Sequence, residues 1–372
     1  MPLVSLNHVL KPADEHNYAH GAFNVNAVAQ VRALIEMHEI LHSPAVIQVA
    51  EPALGFLGGC KDFLNSTVEE KKQGAKLIAD VVGYYANKTS IPVVLHLDHG
   101  KNLEVIQATI ESGFTSVMID GSHLPFEDNV AITKQVVNLA HPHGVSVEGE
   151  LGILSGQEDD VFSEHSTYTS PVQALEFIER TGVDFLAISY GTKHGPIKGD
   201  NVKLRKEIVI AIKELLHNSN TFCGLVSHGS STVPTYIVDE INSLGGTIKG
   251  TGGISIEMLK EVIACGISKI NIDTDIRLAT TRNVRSYFKQ HPEPSSVELN
   301  EIKQLMLENP EQIDPRFYLT PILDTLLYDE SPNEEVADFM KVIEAAVKEI
   351  TSTLIVLFNS LGKKNLVGKG GG

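Results

Sequence analysis

Between residues 93 and 100 the chain reads Val-Val-Leu-His-Leu-Asp-His-Gly, an apolar run that ends in an acid, an imidazole and a glycine. A carboxylate beside an imidazole at the end of a strand is equipment for proton transfer or for holding a metal. The pairing of imidazole and glycine recurs at His194-Gly195 and His228-Gly229. With 15 His and 30 Gly in 372 residues, chance accounts for about one His-Gly pair, and this chain has five. If His99, His194 and His228 converge, they make a three-histidine zinc site that leaves a position open for water or substrate. The glycines let backbone approach a ligand closely.

Convergence requires a scaffold, and the rest of the chain reads as one. Short apolar or β-branched runs at 21–25, 45–50, 91–97, 115–119, 145–150, 184–189, 222–227 and 268–273 predict eight strands. Helical patterns at 26–42, 62–87, 102–112, 126–142, 171–181, 201–217, 255–265 and 275–290 lie between or after them. Continuous apolar strands alternating with helices predict a parallel sheet covered on both faces, and eight such units favour a closed (β/α)8 TIM barrel. The alternation stops after residue 290, so residues 291–360 read as a C-terminal helical extension within a single domain, 1–372.

In such a barrel the polar residues at the C-terminal tips of the strands meet, however far apart in sequence. The tips carry Asn24 and Asn26, Glu51, Asp98 and His99, Asp120, Glu150, His194, His228, and Asn271 with Asp273. Asp120 and Glu150 are read either as holders of a second cation or of the imidazoles, or as solvated strand ends. Glu148 shares the face of Glu150 and ranks after it for the same role, while His96, on the face of Asp98, is read as a support for a ligand or as core. Glycine, hydroxyl and amide groups in "GTKHGPIKGDN", "SHGSST" and "NIDTD" surround strands six to eight. Barrels commonly bind phosphate there, so a phosphorylated substrate is expected.

Composition narrows the function classes. A formal charge of −17 argues against a nucleic-acid groove, and no run reaches the length of a membrane span. Cys60, Cys223 and Cys265 are too few and scattered for a disulfide framework. The first residues lack the pattern of a secretory signal. A cytoplasmic enzyme with no nucleic-acid or membrane partner is the expectation.

At this point the motifs resemble a known family. "AFNVN" (22–26), "LHLDHG" (95–100), "MIDGSH" (118–123), "VEGELG" (147–152), "KHGP" (193–196), "SHGSS" (227–231), "GISKINIDTD" (266–275) and "DPRFYL" (314–319) resemble, in order and spacing, the class II, zinc-dependent fructose-1,6-bisphosphate aldolases along nearly the whole chain. The resemblance implies cleavage of the sugar bisphosphate to triose phosphates, with catalytic zinc on His99, His194 and His228. It implies Asp98 as the acid handling the C4 hydroxyl proton and Glu158 as the loop carboxylate moving the C3 proton. Asp120 and Glu150 match a second, non-catalytic cation, divalent or monovalent. Asn26, Gly195, Lys198, Gly229, Ser230, Ser231, Asn271, Asp273 and Thr274 match the dihydroxyacetone phosphate end, and Arg277 and Arg316 the other phosphate. A homodimer or higher homo-oligomer is also implied. The chain departs from the pattern at Ala50, where the family places a serine.

Three other readings stay open: a lysine-based aldolase forming an imine on Lys193, Lys198 or Lys269, a barrel metallohydrolase, and a weakened homologue that acts by binding. Tagatose bisphosphate or a related ketose phosphate also remains open as substrate.

Overall fold

A computed structural model describes residues 3–158, 161–163, 166–195, 202–249, 252–328 and 333–367, except the side chains of 157, 158, 161 and 162. The described residues form ten strands: β1 (His20–Asn24), β2 (Ala45–Ala50), β3 (Val93–Gly100), β4 (Ser116–Ile119), β5 (Ser146–Leu151), β6 (Gly156–Glu158), β7 (Val161–Ser163), β8 (Phe185–Ile188), β9 (Gly224–Ser227) and β10 (Ile267–Ile272). Eight of them pair in parallel in the order β1-β10-β9-β8-β5-β4-β3-β2, and β1 closes on both β2 and β10. This is the expected (β/α)8 barrel. Every residue of those eight strands is buried, which is why their sequences run apolar without alternation.

The surrounding helices start where the chemistry of capping allows. Thr67 and Glu70 form a reciprocal capping box at Val68–Ala86, and Ser170 caps Pro171–Thr181, whose first residue is the proline favoured there. After the barrel come the helices Val297–Glu308, Leu323–Tyr328 and Glu334–Leu357. The last packs its apolar side into a core that runs from Ala19 to Phe358. Among the described residues no helix is long and apolar enough to cross a membrane.

One layer inside the barrel is not apolar. His96 on β3, Glu148 on β5 and Lys269 on β10 are fully buried. Two residues further along the same strands stand Asp98, Glu150 and Asn271, so the period of two stacks one polar layer on another.

Beneath the barrel mouth, His20 on β1 and His38 on the helix Val28–Ile40 are also enclosed. Burial, with His38 adding repulsion, lowers the His20 pKa to about 3, and burial lowers that of His38 to about 4. The unfolded chain therefore takes up protons below about pH 6.5 that the folded chain refuses, and stability falls as the pH drops below that value. The expected loss is about 2 kcal/mol for each residue at pH 5. Thermal unfolding between pH 7 and pH 5 checks this: His38→Gln should flatten the dependence by about one proton, and an unchanged slope would contradict it.

Candidate metal centre and active site

The site begins with an irregularity in β3. Leu97 pairs with Val117 and Gly100 with Ile119, so β3 spends three steps where β4 spends two. The extra residue is a bulge, and His99 sits in it with φ 46°. On a regular strand Asp98 and His99 would face opposite sides. Here their donor atoms, with those of His228, lie within 4.8 Å of one another. The next residue has to be glycine, because a Cβ at Gly100 would stand 2.4 Å from the Met118 carbonyl oxygen.

Asp98 is surrounded by amide donors. Asn271 Nδ2 donates to its Oδ1 at 3.0 Å, and Asn24 Nδ2 and Gln48 Nε2 donate to its Oδ2 at 3.3 Å each. Gln48 also donates to Asn24 Oδ1, which fixes both amides. Three donors and complete burial prepare Asp98 to act as an acceptor.

The imidazoles are held from outside by carboxylates. His99 Nδ1 lies 2.9 Å from Asp120 Oδ2, and His228 Nε2 lies 2.8 Å from Glu148 Oε1. The inner nitrogens, His99 Nε2 and His228 Nδ1, face each other at 3.1 Å. If each ring turns its N–H outward to its carboxylate, the inner nitrogens present lone pairs that a cation could join. His194 stands beside the pair, its ring centre 5.5 Å from that of His99 and 6.4 Å from that of His228, but it is not among the donor atoms grouped within 4.8 Å.

Glu150 gives the second indication of a cation. Its Oε2 is enclosed with no hydrogen-bond partner, 3.9 Å from His99 Nδ1 and 3.8 Å from His228 Nδ1. Burial first, and Asp120 second, push its pKa well up. Burial opposes charge on His99 too, yet Asp98 and Asp120 outweigh it and raise that pKa. Asp120 also resists burial, and its bond to His99 holds it low. His99, Asp120 and Glu150 form a second group of donor atoms within 4.8 Å. The donor set fits the group implied by the sequence.

Deeper in the barrel, Lys269 Nζ lies 2.9 Å from Glu148 Oε2 and 3.5 Å from His96 Nε2. Burial would raise the Glu148 pKa, but Lys269, and after it His228, keep it low.

The phosphate-binding candidates are spread around β8 to β10. Ser230 and Ser231 are buried behind His228, and Ser230 Oγ is joined to Ser227 Oγ at 2.6 Å and through it to Tyr190. Gly229 and Gly195 have φ 60° and 76°. Asn26 donates its backbone N–H to Gln30 at 2.7 Å. Thr274 opens the helix Thr274–Gln290. Arg277 Nε binds Asp273 Oδ1 at 2.9 Å, and its Nη1 binds Asp314 Oδ2 at 2.9 Å. Arg316 is 1% exposed, paired with Asp314 and 4.1 Å above the Phe63 ring. Both arginines expected to receive the distal phosphate thus already share one carboxylate. Glu158 belongs to a short antiparallel hairpin, opposite Val161, where the sequence predicts a loop. Its side chain, and Lys198 entirely, lie outside the described residues.

Sequence reasoning passed over Gln48, although one polar residue inside "AVIQVA" was a signal. It ranked Glu148 below Glu150, because spacing shows a shared face but not which histidine stands opposite.

The comparisons with known proteins agree with this picture. A family model described as fructose-bisphosphate aldolase class-II matches residues 4–363. The fructose-bisphosphate aldolase of Giardia intestinalis is 38% identical over 88% of this chain and 90% of its own. That of Thermus caldophilus is 34% identical over 97% and 99%. Among solved structures, the YdjI aldolase from Escherichia coli K12 superposes with a TM-score of 0.66 at 26% identity, covering 97% of this chain and 99% of that one. The fructose-bisphosphate aldolase of Campylobacter jejuni, at 23% identity and TM-score 0.69 over 97% of both chains, shares the fold. A match along nearly the whole sequence, over a barrel with this cluster at its mouth, means that the chain belongs to the class II fructose-bisphosphate aldolase family.

Proposed function

We propose that the protein reversibly cleaves fructose 1,6-bisphosphate to dihydroxyacetone phosphate and glyceraldehyde 3-phosphate, with zinc held by His99, His194 and His228. The facing nitrogens of His99 and His228 beside Asp98 carry the reading. Nitrogen donors suit zinc, and such an ion supplies Lewis-acid polarisation of the substrate ketone. Asp98 takes the C4 hydroxyl proton as the C3–C4 bond breaks, and the bonding pair passes into the ketone to give an enediolate. Glu158 then delivers a proton to C3, and the synthetic direction reverses both transfers.

Asn26, Gly195, Lys198, Gly229, Ser230, Ser231, Asn271, Asp273 and Thr274 bind the dihydroxyacetone phosphate end in this reading. Arg277 and Arg316 serve the other phosphate, and Asp120 and Glu150 hold a second cation while orienting His99. Ala50 in place of a serine removes one substrate hydrogen bond, which costs about 1–3 kcal/mol where the partner stays unpaired.

Metal removal tests the proposal directly. Dialysis against a strong chelator should abolish cleavage, added Zn2+ should restore it, and borohydride with substrate should leave activity intact. Full turnover by the stripped protein, or inactivation by borohydride, would overturn the reading. Parallel assays with fructose and tagatose bisphosphate assign the stereochemistry at C4.

A further inference from the structure

We propose that Asp275 is a positioning residue, holding the loop after β9 in the shape that receives a substrate phosphate. The inference rests on the reading of Gly229, Ser230 and Ser231 as phosphate ligands. Asp275 is fully buried at the second position of the helix Thr274–Gln290. An acid there ordinarily serves its own helix, where the unpaired N–H groups and the dipole favour it. This one reaches across to a different loop. Its Oδ2 accepts from Thr232 N at 2.9 Å and Thr232 Oγ1 at 3.0 Å, and its Oδ1 accepts from Val233 N at 2.8 Å.

The loop needs such a hold. Val233 has φ 44°, a region in which a β-branched residue is a steric outlier, and such residues persist only where their surroundings over-determine them. The other contacts show how little room remains. Ile254 N donates to Ser231 O at 3.3 Å, and a Cβ at Gly253 would fall 2.1 Å from the Thr232 carbonyl oxygen. At the loop's other end, a Cβ at Gly229 would fall 2.5 Å from the Lys193 carbonyl oxygen. The backbone from 229 to 233 is thus pressed between two other loops, and three bonds to Asp275 hold its far end in a conformation that valine would otherwise leave. Asp273, two residues earlier, turns instead to Arg277, so the two acids of "DTD" serve different partners.

The test compares Asp275→Asn, Thr232→Val and the double variant Asp275→Asn with Val233→Gly. Asparagine keeps the shape but turns a donor toward a loop N–H. It should raise KM for fructose 1,6-bisphosphate about tenfold with kcat much less affected, since a displaced binding group costs binding first. Competitive inhibition by inorganic phosphate should weaken by the same factor. Thr232→Val, which removes only the hydroxyl bond, should shift KM the same way by a smaller factor. Glycine accepts a positive φ without strain, so the double variant should recover most of the lost affinity, a rescue that a general loss of stability would not give. Unchanged KM and phosphate inhibition in Asp275→Asn, or a double variant as weak as the single one, would overturn the clamp alone. Failure of phosphate to compete in the unaltered protein would overturn the phosphate reading, and the proposal with it.

Discussion

Asparagine at position 98 should lower kcat for cleavage by about 10²- to 10⁴-fold, the range spanned by losing a positioned general base, while metal content and KM stay close to the original. The geometry makes the substitution informative. Asp98 takes hydrogen bonds from three amides, Asn24, Gln48 and Asn271, belonging to three different strands. An asparagine fits the same space but must direct an NH2 group at one of those donors and can no longer accept the C4 hydroxyl proton. Steady-state kinetics with parallel zinc analysis separates this from loss of the metal. A rate within tenfold of the original, with full metal content, would assign the proton to another group.

The second large effect is expected at Lys269. Replacing it with methionine keeps the volume but leaves Glu148 as a buried carboxylate without its cation, and breaking a buried pair from one side costs about 3–5 kcal/mol. The variant escapes part of that cost if Glu148 takes up a proton, but it then ceases to be the anion that orients His228 through the 2.8 Å contact. Loss of such a support lowers metal affinity by about 10- to 100-fold. Thermal unfolding and zinc competition with a coloured chelator measure the two consequences separately. The double change, Lys269→Met with Glu148→Gln, removes both charges and should regain much of the stability without regaining the affinity. A single variant with unaltered unfolding and unaltered zinc binding would mean that the buried pair does neither task.

The sequence makes the barrel visible because its strands have no wet face. Runs such as "AVIQVA" and "DFLAIS" are mostly apolar without alternation, and the strands fall within a few residues of where those runs place them. The boundaries drift where polarity misleads. Strand three reads as ending at Leu97, yet it continues to Gly100 because its polar end is buried rather than solvated. The short helix Glu51–Leu57 escaped notice, as a proline and a glycine interrupt its pattern. The helix Leu6–Glu15 was obscured by Pro12 inside it. The stretch around Glu158 is rich in turn-forming residues and acids and therefore resembles a loop, while its backbone forms a hairpin.

At the site, the residues at strand tips could be read because barrel topology alone brings tips together. What could not be read was which partner each one meets. That His228 rests on Glu148 and His99 on Asp120 follows from barrel register and from one bulge, both of which depend on pairings between distant segments. Nor does one-dimensional spacing reveal that Arg277 and Arg316 meet at Asp314.

The extra residue in β3 also governs how this centre could be moved to another protein. Grafting Asp98 and His99 onto a regular strand would send one of them outward, so an engineer would need to carry over the out-of-step pairing with the neighbouring strand and Gly100 as a single cassette. For the same reason, deleting a flanking residue such as Leu97 should cost activity by rotating a side chain, although every ligand is still present in the sequence.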